Sequence, residues 1–448
     1  MADTPGAPTT SGPLAATTAG PPARASRWRH VGPGIVVAAT GVGAGDLVAT
    51  LLAGSKFGYT LLWAAVIGCV VKIALAEAVG RWHLATGRTL FEGWRSLGRW
   101  TTWYFAVYVV VWGFVYGATA MSSSALPLAA LWPEGPGIRT WGVITGLLGL
   151  LFVWFNQYAV FEKVMTVLIG VMFVVVVYVA IRVAPDLGDA FAGLLPVLPD
   201  GSLLYTLGIV GGVGGTITMA AYGYWVNAKG WTGAGWMKVM RVDNRVAYVT
   251  TGIFVVAMLI VGAELLHSSG IALATGDRGL VDLGNILEDR FGAATANLFL
   301  IGFFATSFSS LIGVWHGVSL MFADFVRPWL LARREREDRT AVRAPEESGV
   351  AFAASRPERS WVFRGYLLWL TIPPVSLLFL DQPFGLVIAY GALGAFFMPF
   401  LALTLLWLLN SGRTPDEWRN RLLSNTLLTA SGLLFVVLCV QQVRDLPW

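Results

Sequence analysis

Long apolar runs, separated by short polar segments, occupy most of this chain of 448 residues. A helix needs about 20 apolar residues to cross the hydrocarbon layer of a bilayer, so each run of that length predicts one membrane-spanning helix. Eleven runs are long enough, and we call the helices that they predict spans 1 to 11. They lie at about 33–54, 59–81, 101–125, 140–156, 164–183, 203–226, 246–267, 293–325, 361–380, 384–409 and 424–443. The pattern therefore predicts an all-α polytopic membrane protein with eleven transmembrane helices.

The composition supports the same class of protein. Hydrophobic residues make up 56% of the chain and charged residues only 13%, whereas soluble domains carry roughly a quarter charged residues. Both cysteines, Cys69 and Cys439, fall inside apolar runs, which excludes a disulfide framework or a cysteine-based metal motif. The sequence has no nucleophile–base pair, phosphate-binding loop or membrane-protease motif, so we do not expect an enzyme.

The positive charges are distributed unevenly between alternate loops. With a cytoplasmic N-terminus, twenty-four of the 31 lysines and arginines lie in cytoplasmic segments and six lie outside, while Lys72 lies within span 2. Cytoplasmic loops are enriched in these residues, so the asymmetry predicts a cytoplasmic N-terminus and an external C-terminus in the plasma (inner) membrane. The net charge of +5 then reflects topology and attraction to lipid headgroups. We expect the lipid bilayer as a partner, and no nucleic acid.

The chain predicts a short tail followed by one large domain. Residues 1–30 are rich in Ala, Pro, Thr and Gly, which is typical of a disordered tail, here cytoplasmic. Residues 31–448 predict a single transmembrane domain. A cytoplasmic loop is expected at 327–360, and we assign no chemistry to its mixed charges.

Spans 1 and 6 share a sequence pattern. Each contains Gly-Ile-Val, at 34–36 and at 208–210, followed by a glycine-rich stretch that would interrupt the helix. Because the two spans are five helices apart, the two copies would have opposite orientations. The pattern favours a 5+5 inverted repeat of about 31–184 and 201–410, with 424–443 as an extra helix. Two broken helices in corresponding positions are typical of a transporter that binds its substrate at the membrane midplane.

Asp46 lies in the glycine-rich part of span 1, at 32–47. About thirteen apolar or small residues precede it, and at a rise of ~1.5 Å per residue this places it near the middle of the hydrocarbon layer. An ionisable group at that depth is costly unless a polar group meets it, so a functional role is the default hypothesis. The alternative is a structural pair with a neighbouring side chain.

Two charged residues of span 2 could interact with that site. Lys72 lies at a depth similar to that of Asp46, and a buried ammonium also needs a partner. We hypothesise an Asp46–Lys72 pair; the alternatives are that Lys72 meets helix C-terminal carbonyls or is neutral. Glu77 could serve a proton or gating path, but a structural contact with Arg81, one turn along, is the favoured interpretation.

The glycines of span 6 are followed by further candidate ligands. Met219 offers a thioether, which suits transition metals, although an apolar contact is the simpler interpretation. Thr216 and Thr218 offer hydroxyls or exposed carbonyls. His316 and His267 each lack a second ligand at i+3 or i+4, which argues against a histidine metal site.

Several motifs resemble those of the Nramp family of divalent-metal transporters. The clearest are Gly-Ala-Gly-Asp at 43–46, Leu-Ala-Gly-Ser-Lys-Phe-Gly-Tyr-Thr-Leu-Leu-Trp at 52–63 and Thr-Gly-Arg at 86–88. Further similarity lies in Phe-Glu-Lys at 161–163, Phe-Ala-x-x-x-Ser-Ser at 304–310 and Met-Pro-Phe at 398–400. The resemblance implies an inverted-repeat fold like that of the amino-acid transporter LeuT, and transport of divalent metal ions.

The chain departs from the family's pattern at the metal site. The metal-binding Asp of the family falls on Gly43, and the family's Asn falls on Asp46. Its Met-Pro-His becomes Met-Ala-Ala at 219–221, which keeps the thioether and loses the histidine. The acids that line its proton route in span 3 have no counterpart in 113–119, and Lys72 replaces a small apolar residue.

We therefore expect a secondary-active transporter of divalent metal cations of the Mn, Fe or Mg type, working by alternating access with an altered metal site. Its substrate-binding residues would be Asp46, Gly43, Thr216 and Met219, with Asp46 and Met219 as the metal ligands. Lys72 and Glu77 are candidates for a charge partner or for coupling. A partly hydrated ion fits this ligand set better than a dehydrated one, because it needs fewer protein ligands. We expect a monomer without a cofactor, and proton coupling stays open.

Two alternatives remain. If Lys72 neutralises Asp46, a divalent cation becomes a poor substrate, and a LeuT-fold transporter of a non-metal or organic solute fits better. A scaffold that has lost metal ligands could also retain only a binding role, as a non-transporting Nramp-like sensor.

Overall fold

The chain folds into a nearly all-helical bundle. The computed structural model describes residues 32–155, 157–212, 214–267, 278–337, 356–380 and 383–444, so the tail expected at 1–30 lies outside the described residues. The α-helices are α1 (Pro33–Gly41), α2 (Ala44–Phe57), α3 (Leu62–Thr86), α4 (Leu90–Leu97), α5 (Arg99–Leu131), α6 (Ile138–Phe155), α7 (Tyr158–Arg182), α8 (Leu187–Ala192), α9 (Leu203–Gly212), α10 (Tyr222–Ala228), α11 (Met237–Gly262), α12 (Arg278–Phe291), α13 (Ala293–Glu337), α14 (Trp361–Thr371), α15 (Pro383–Asn410) and α16 (Leu422–Arg444).

Seven helical segments within the described residues are long and apolar enough to cross a bilayer. They are Leu62–Thr86, Arg99–Leu131, Ile138–Phe155, Tyr158–Arg182, Ala234–His267, Ala293–Leu331 and Trp361–Leu380. These segments coincide with spans 2, 3, 4, 5, 7, 8 and 9. Two shorter apolar stretches, Phe396–Asn410 and Leu422–Val437, lie in α15 and α16, where spans 10 and 11 are expected. The membrane-protein class is confirmed, and the count of eleven stays a prediction.

The helix of span 8 is longer than its apolar run. α13 continues from the membrane segment to Glu337, so the first part of the loop expected at 327–360 is helical. The residues at 333–337 are only Arg and Glu, which are good helix formers and extend the helix beyond the apolar region. Residues 338–355 lie outside the described part of the chain.

Span 1 is divided where the sequence predicts a break. α1 ends at Gly41, Val42 is extended, and α2 begins at Ala44. The break leaves the last carbonyls of α1 without the partners that a continuing helix would supply. The first half-helix is almost entirely buried, so these carbonyls must find partners inside the protein.

Span 6 is divided more widely. α9 ends at Gly212, a single 3₁₀ turn covers Ile217–Met219, and α10 begins at Tyr222. Gly214 and Gly215 have φ of 74° and 86°, in the left-handed region that glycine adopts without steric strain. The two glycines therefore unwind the helix and turn their carbonyls away from its axis.

A buried carboxylate fixes the start of α1. Asp243, in α11, is fully buried and accepts hydrogen bonds from the backbone N–H of Gly32 at 2.8 Å and of Gly34 at 2.6 Å. The hydroxyl of Tyr222, at the start of α10, donates to the same carboxylate at 2.8 Å. A carboxylate at a helix N-terminus satisfies amides that lack helical partners and interacts favourably with the helix dipole. Asp243 therefore ties the first halves of α1 and α10 to α11.

Replacing Asp243 with Ala is expected to destabilise the protein, because two buried amides lose their acceptor and the buried hydroxyl of Tyr222 keeps only the more distant carbonyl of Met240, at 3.3 Å. Each such group left unpaired costs about 1–3 kcal/mol. The thermal unfolding midpoint of the purified protein in detergent should fall by several degrees.

Asp416→Ala is the matched control, because Asp416 is exposed and pairs only at the surface with Arg419. Exposed ion pairs contribute about 0–1 kcal/mol, so this midpoint should stay close to that of the parent chain. Equal midpoints for the two variants would contradict the role of Asp243 as an anchor.

Candidate functional site at the two helix breaks

The two helix breaks lie against each other, backbone to backbone. A Cβ atom built on Gly41 would overlap the carbonyl group of Gly214, and one built on Gly215 would lie 2.8 Å from Cα of Gly41. Only residues without side chains allow this approach. The glycines that interrupt span 1 and span 6 therefore also bring the two interruptions together.

Hydroxyl groups of α13 donate hydrogen bonds to the carbonyls at the end of α1 that lack helical partners. Ser309 Oγ donates to the carbonyl of Ala39 at 3.1 Å, and Ser310 Oγ donates to that of Thr40 at 2.8 Å. The hydroxyl of Tyr116, in α5, lies 2.9 Å from Ser310 Oγ. The break in span 1 is thus stabilised by neutral hydroxyls from two neighbouring helices.

A lysine occupies the break in span 6. Lys72, in α3, is fully buried, and its Nζ donates a hydrogen bond to the carbonyl of Gly215. The ring centroid of Phe435, in α16, lies 5.7 Å from the same Nζ. The ammonium therefore lies in the unwound segment of span 6, between the carbonyl of Gly215 and an aromatic ring. A carbonyl oxygen and an aromatic face both stabilise a positive charge.

Three further hydroxyls surround the break in span 6. Thr216 Oγ1, Thr218 Oγ1 and Tyr248 Oη are buried, and within the described residues none of these atoms has a hydrogen-bond partner. Tyr248 packs directly on the break, because a Cβ on Gly214 would lie 2.6 Å from its ring. Buried polar atoms without partners are rare in native proteins, so they mark a place where a polar ligand or water could bind.

The structure does not test the role of Asp46. This residue lies in the first turn of α2, beside the break, but its side chain lies outside the described residues. The Asp46–Lys72 pair therefore stays a prediction. Lys72 donates to the carbonyl of Gly215, which lies beyond the C-terminus of α9, so the alternative of a contact with helix C-terminal carbonyls also stays a prediction.

The backbone carbonyls expected to bind substrate have internal donors. Gly43 O accepts from the N–H of Leu47 at 3.2 Å, and Thr216 O accepts from the N–H of Met219 at 3.2 Å. A carbonyl has two lone pairs, so an oxygen that accepts one hydrogen bond, such as Thr216 O, can still accept a second donor or a cation. Met219 itself is fully buried in the 3₁₀ turn.

Gly43 packs closely against α13. A Cβ at this position would lie 2.9 Å from Ser310 Oγ, so a side chain here would require the serine that donates to Thr40 to shift.

Glu77 makes structural ion pairs. Its carboxylate accepts from Arg81 Nε at 3.1 Å and from Arg241 Nε, in α11, at 2.9 Å. The pair with Arg81 is the contact favoured from the sequence. Glu77 links α3 to α11, and no contact with the breaks is observed for it among the described residues.

The histidines lie in separate environments. His316 Nδ1 accepts from Trp225 Nε1 at 3.1 Å, and its ring stacks on Phe161 with centroids 4.3 Å apart. His267 Nδ1 lies 2.9 Å from the carbonyl of Ser55. Within the described residues, no group of three His, Cys, Asp or Glu side chains could hold a metal ion.

The far end of α2 is also held by hydrogen bonds. The hydroxyl of Tyr59, just after α2, donates to the carboxylate of Glu264, and the N–H of Asp186 donates to this hydroxyl at 3.2 Å. These contacts tie the end of α2 to span 7 and to the loop after α7.

Sequence reasoning missed the partners that complete the site. Ser309 and Ser310 are part of the motif at 304–310 that carries the resemblance, and their position as adjacent hydroxyls in mid-span 8 was the available signal. Nothing in the sequence indicates that Tyr248 or Phe435 lies at the break, because both contacts join distant parts of the chain.

Two broken helices that meet inside a bundle of apolar helices are typical of secondary transporters. A family model described as "Natural resistance-associated macrophage protein-like" matches residues 34–444. The chain belongs to this family, which confirms the resemblance seen in the sequence.

The relatives are similar over most of the chain. The divalent metal cation transporter MntH of Mycobacterium leprae is 27% identical over 321 residues, covering 66% of this chain and 70% of that protein. The manganese transporter of Eremococcus coleocola, solved with an aromatic bis-isothiourea substituted compound, is 18% identical with a TM-score of 0.74, covering 97% of this chain and 92% of that one. A nucleobase-cation-symport-1 family transporter, solved with bromovinylhydantoin bound, is 13% identical with a TM-score of 0.56, and 93% of each chain is covered. The structural matches show that this chain has the same fold as these two transporters.

Replacing Gly41 with Ala tests the contact between the breaks. The added Cβ would overlap the backbone of Gly214, and forcing extra atoms into a packed interior costs about 1–3 kcal/mol. The variant should lose monodisperse protein at a lower temperature than the parent chain in size-exclusion chromatography after heating.

Gly208→Ala serves as the control. Gly208 also lies in a half-helix, α9, and a Cβ there meets nothing within 4 Å. This variant should match or slightly exceed the parent in stability, since Ala is the better helix former. If both variants behave like the parent, the breaks do not depend on close packing at Gly41.

Proposed function

We propose that this chain is a secondary-active transporter that carries divalent metal cations across the membrane by alternating access. The observation that carries the proposal is the contact of two helix breaks in a chain of this family. The name of the Mycobacterium leprae relative, a divalent metal cation transporter, supports the class of cargo. Unwound backbone at the meeting point of two half-helices can coordinate an ion without a dedicated cage of side chains.

The same proposal includes the finer architecture. We propose eleven spans, a 5+5 inverted repeat of about 31–184 and 201–410, and an extra helix at 424–443. Support comes from the seven long apolar segments, the two shorter apolar stretches and the equivalent interruptions of spans 1 and 6. The charge asymmetry supports a cytoplasmic N-terminus and an external C-terminus in the plasma (inner) membrane, and we expect the monomer to be the transporting unit.

The proposed cargo site lies between the breaks. Asp46 would balance or coordinate the ion, the carbonyls of Gly43 and Thr216 would contribute oxygens, and Met219 would be an optional soft ligand. The unpartnered hydroxyls of Thr216 and Thr218 suit the water shell of a partly hydrated ion. Manganese and magnesium ions keep waters more readily in sites with few protein ligands, so both fit this arrangement.

Proton coupling through α5 is not part of the proposal. The stretch at 113–119 has no acid, and next to it the rings of Trp112 and Tyr116 stack with centroids 4.6 Å apart. An apolar aromatic stack offers no carboxylate to carry a proton. We also expect no cofactor, since the ion is the cargo.

One observation favours a second candidate, transport of an organic solute. The Lys72 ammonium lies at the break in span 6, where it would repel a metal ion. The stacked rings of Trp112 and Tyr116 lie beside the break in span 1, through the contact of Tyr116 with Ser310. The nucleobase-cation-symport-1 transporter of similar fold was solved with an organic compound bound. Such a solute could stack on the rings and accept from the ammonium.

Uptake of Mn²⁺ into proteoliposomes tests the proposal. The parent chain should take up Mn²⁺, and Asp46→Ala should abolish uptake, because the only carboxylate in the sequence of the broken segment is lost. Asp416→Ala, which changes an exposed carboxylate far from the breaks in sequence, should keep the parent rate.

The other outcomes separate the alternatives. A rise in the thermal midpoint with Mn²⁺ but without uptake contradicts transport and favours a sensor. Absence of both uptake and stabilisation contradicts a metal cargo and leaves the organic solute.

A further inference from the structure

We propose that the positive charge of Lys72 sets the affinity of the proposed site for metal ions, by weakening their binding. Its ammonium donates a hydrogen bond to the carbonyl of Gly215, next in the chain to Thr216, whose carbonyl belongs to the proposed cargo site. The inference rests on the proposed function, because it assigns the residue that determines specificity at the same site. Lys72 does not itself coordinate the cargo.

The position of the ammonium supports this role. Lys72 is fully buried, and Gly215, to which it donates, has a left-handed backbone that points the carbonyl out of the helix. Phe435 covers the ammonium at 5.7 Å. A buried ammonium is costly unless the negative end of a dipole meets it, and the carbonyl of Gly215 is one such group. The lysine therefore occupies a place suited to a positive ion.

The carbonyls at the two breaks accept hydrogen bonds from different kinds of donor. At the break in span 1, the donors are the hydroxyls of Ser309 and Ser310, which are neutral and also have acceptor lone pairs. A hydroxyl can rotate and turn an oxygen toward an incoming cation. An ammonium has three donors and no acceptor, and it carries the same sign of charge as the cargo. Lys72 is thus the group at the breaks that opposes a metal ion.

The positive charge of Lys72 determines whether this residue strengthens or weakens the binding of a metal ion. A divalent ion near Gly215 would meet a unit positive charge in a medium of low dielectric constant, where like charges repel strongly. The repulsion weakens metal binding, and it penalises a divalent ion about twice as much as a monovalent one at the same distance. Removing the charge while keeping the length of the side chain should therefore strengthen Mn²⁺ binding.

Isothermal titration of the full chain in detergent with Mn²⁺ tests the inference. Lys72→Met keeps the side-chain length and removes the charge, so its Kd for Mn²⁺ should be lower than that of the parent by roughly tenfold or more. Lys72→Arg keeps the charge and should leave the Kd within about threefold, which is a change of less than 1 kcal/mol. Lys163→Met, an exposed lysine of α7, is the matched control and should leave the Kd unchanged.

A second neutral variant separates an effect on the stability of the protein from an effect on the binding of Mn²⁺. Lys72→Gln keeps a neutral donor for the Gly215 carbonyl, and it should also bind Mn²⁺ more tightly than the parent. The Kd is compared only among variants that elute as monodisperse protein. A purely structural role of Lys72 would lower stability in all three variants without tightening the binding of Mn²⁺.

The inference and the proposed function fail in different ways. If the parent transports Mn²⁺ while Lys72→Met and Lys72→Gln bind it no more tightly, the inference is wrong and the proposed function stands. If the parent shows no Mn²⁺ uptake but both variants gain Mn²⁺ binding, the inference stands and Lys72 explains why the parent is a poor metal carrier.

Discussion

The close approach of Gly41 to Gly214 is the constraint on which the site depends. Two helices can lie backbone to backbone only where neither has a side chain, and the same glycines allow the helices to unwind. The contact therefore places two sets of unpaired carbonyls in one small region of the bundle. The serines of α13 and the lysine of α3 satisfy carbonyls that this arrangement exposes.

The chain satisfies these groups by three different means. Neutral hydroxyls donate to the carbonyls at the end of α1, and an ammonium donates to a carbonyl beyond α9. The carboxylate of Asp243 accepts from the amides at the start of α1. Water is absent from the hydrocarbon layer, so each unpaired backbone group there would cost several kcal/mol. The three groups differ in charge, since the hydroxyls are neutral, the ammonium is a cation and the carboxylate is an acid.

The sequence predicts the breaks well and their partners poorly. Glycine runs identify both breaks because the freedom of a glycine is a property of the residue itself. The depth of Lys72 was also predictable, since it follows from its place in span 2. Its partner was not, because Lys72 and Gly215 are 143 residues apart and only the packing of α3 against the break joins them. Ser309, Ser310 and Tyr248 were missed for the same reason.

Anomalous scattering from crystals of the full chain soaked with Mn²⁺ locates the ion without assuming its ligands, and so shows whether the helix breaks bind metal. If they do, a peak should lie between the break in span 1 and the turn at Ile217–Met219. A map with no peak there, or with Mn²⁺ bound only at other places, would contradict a metal site at the breaks.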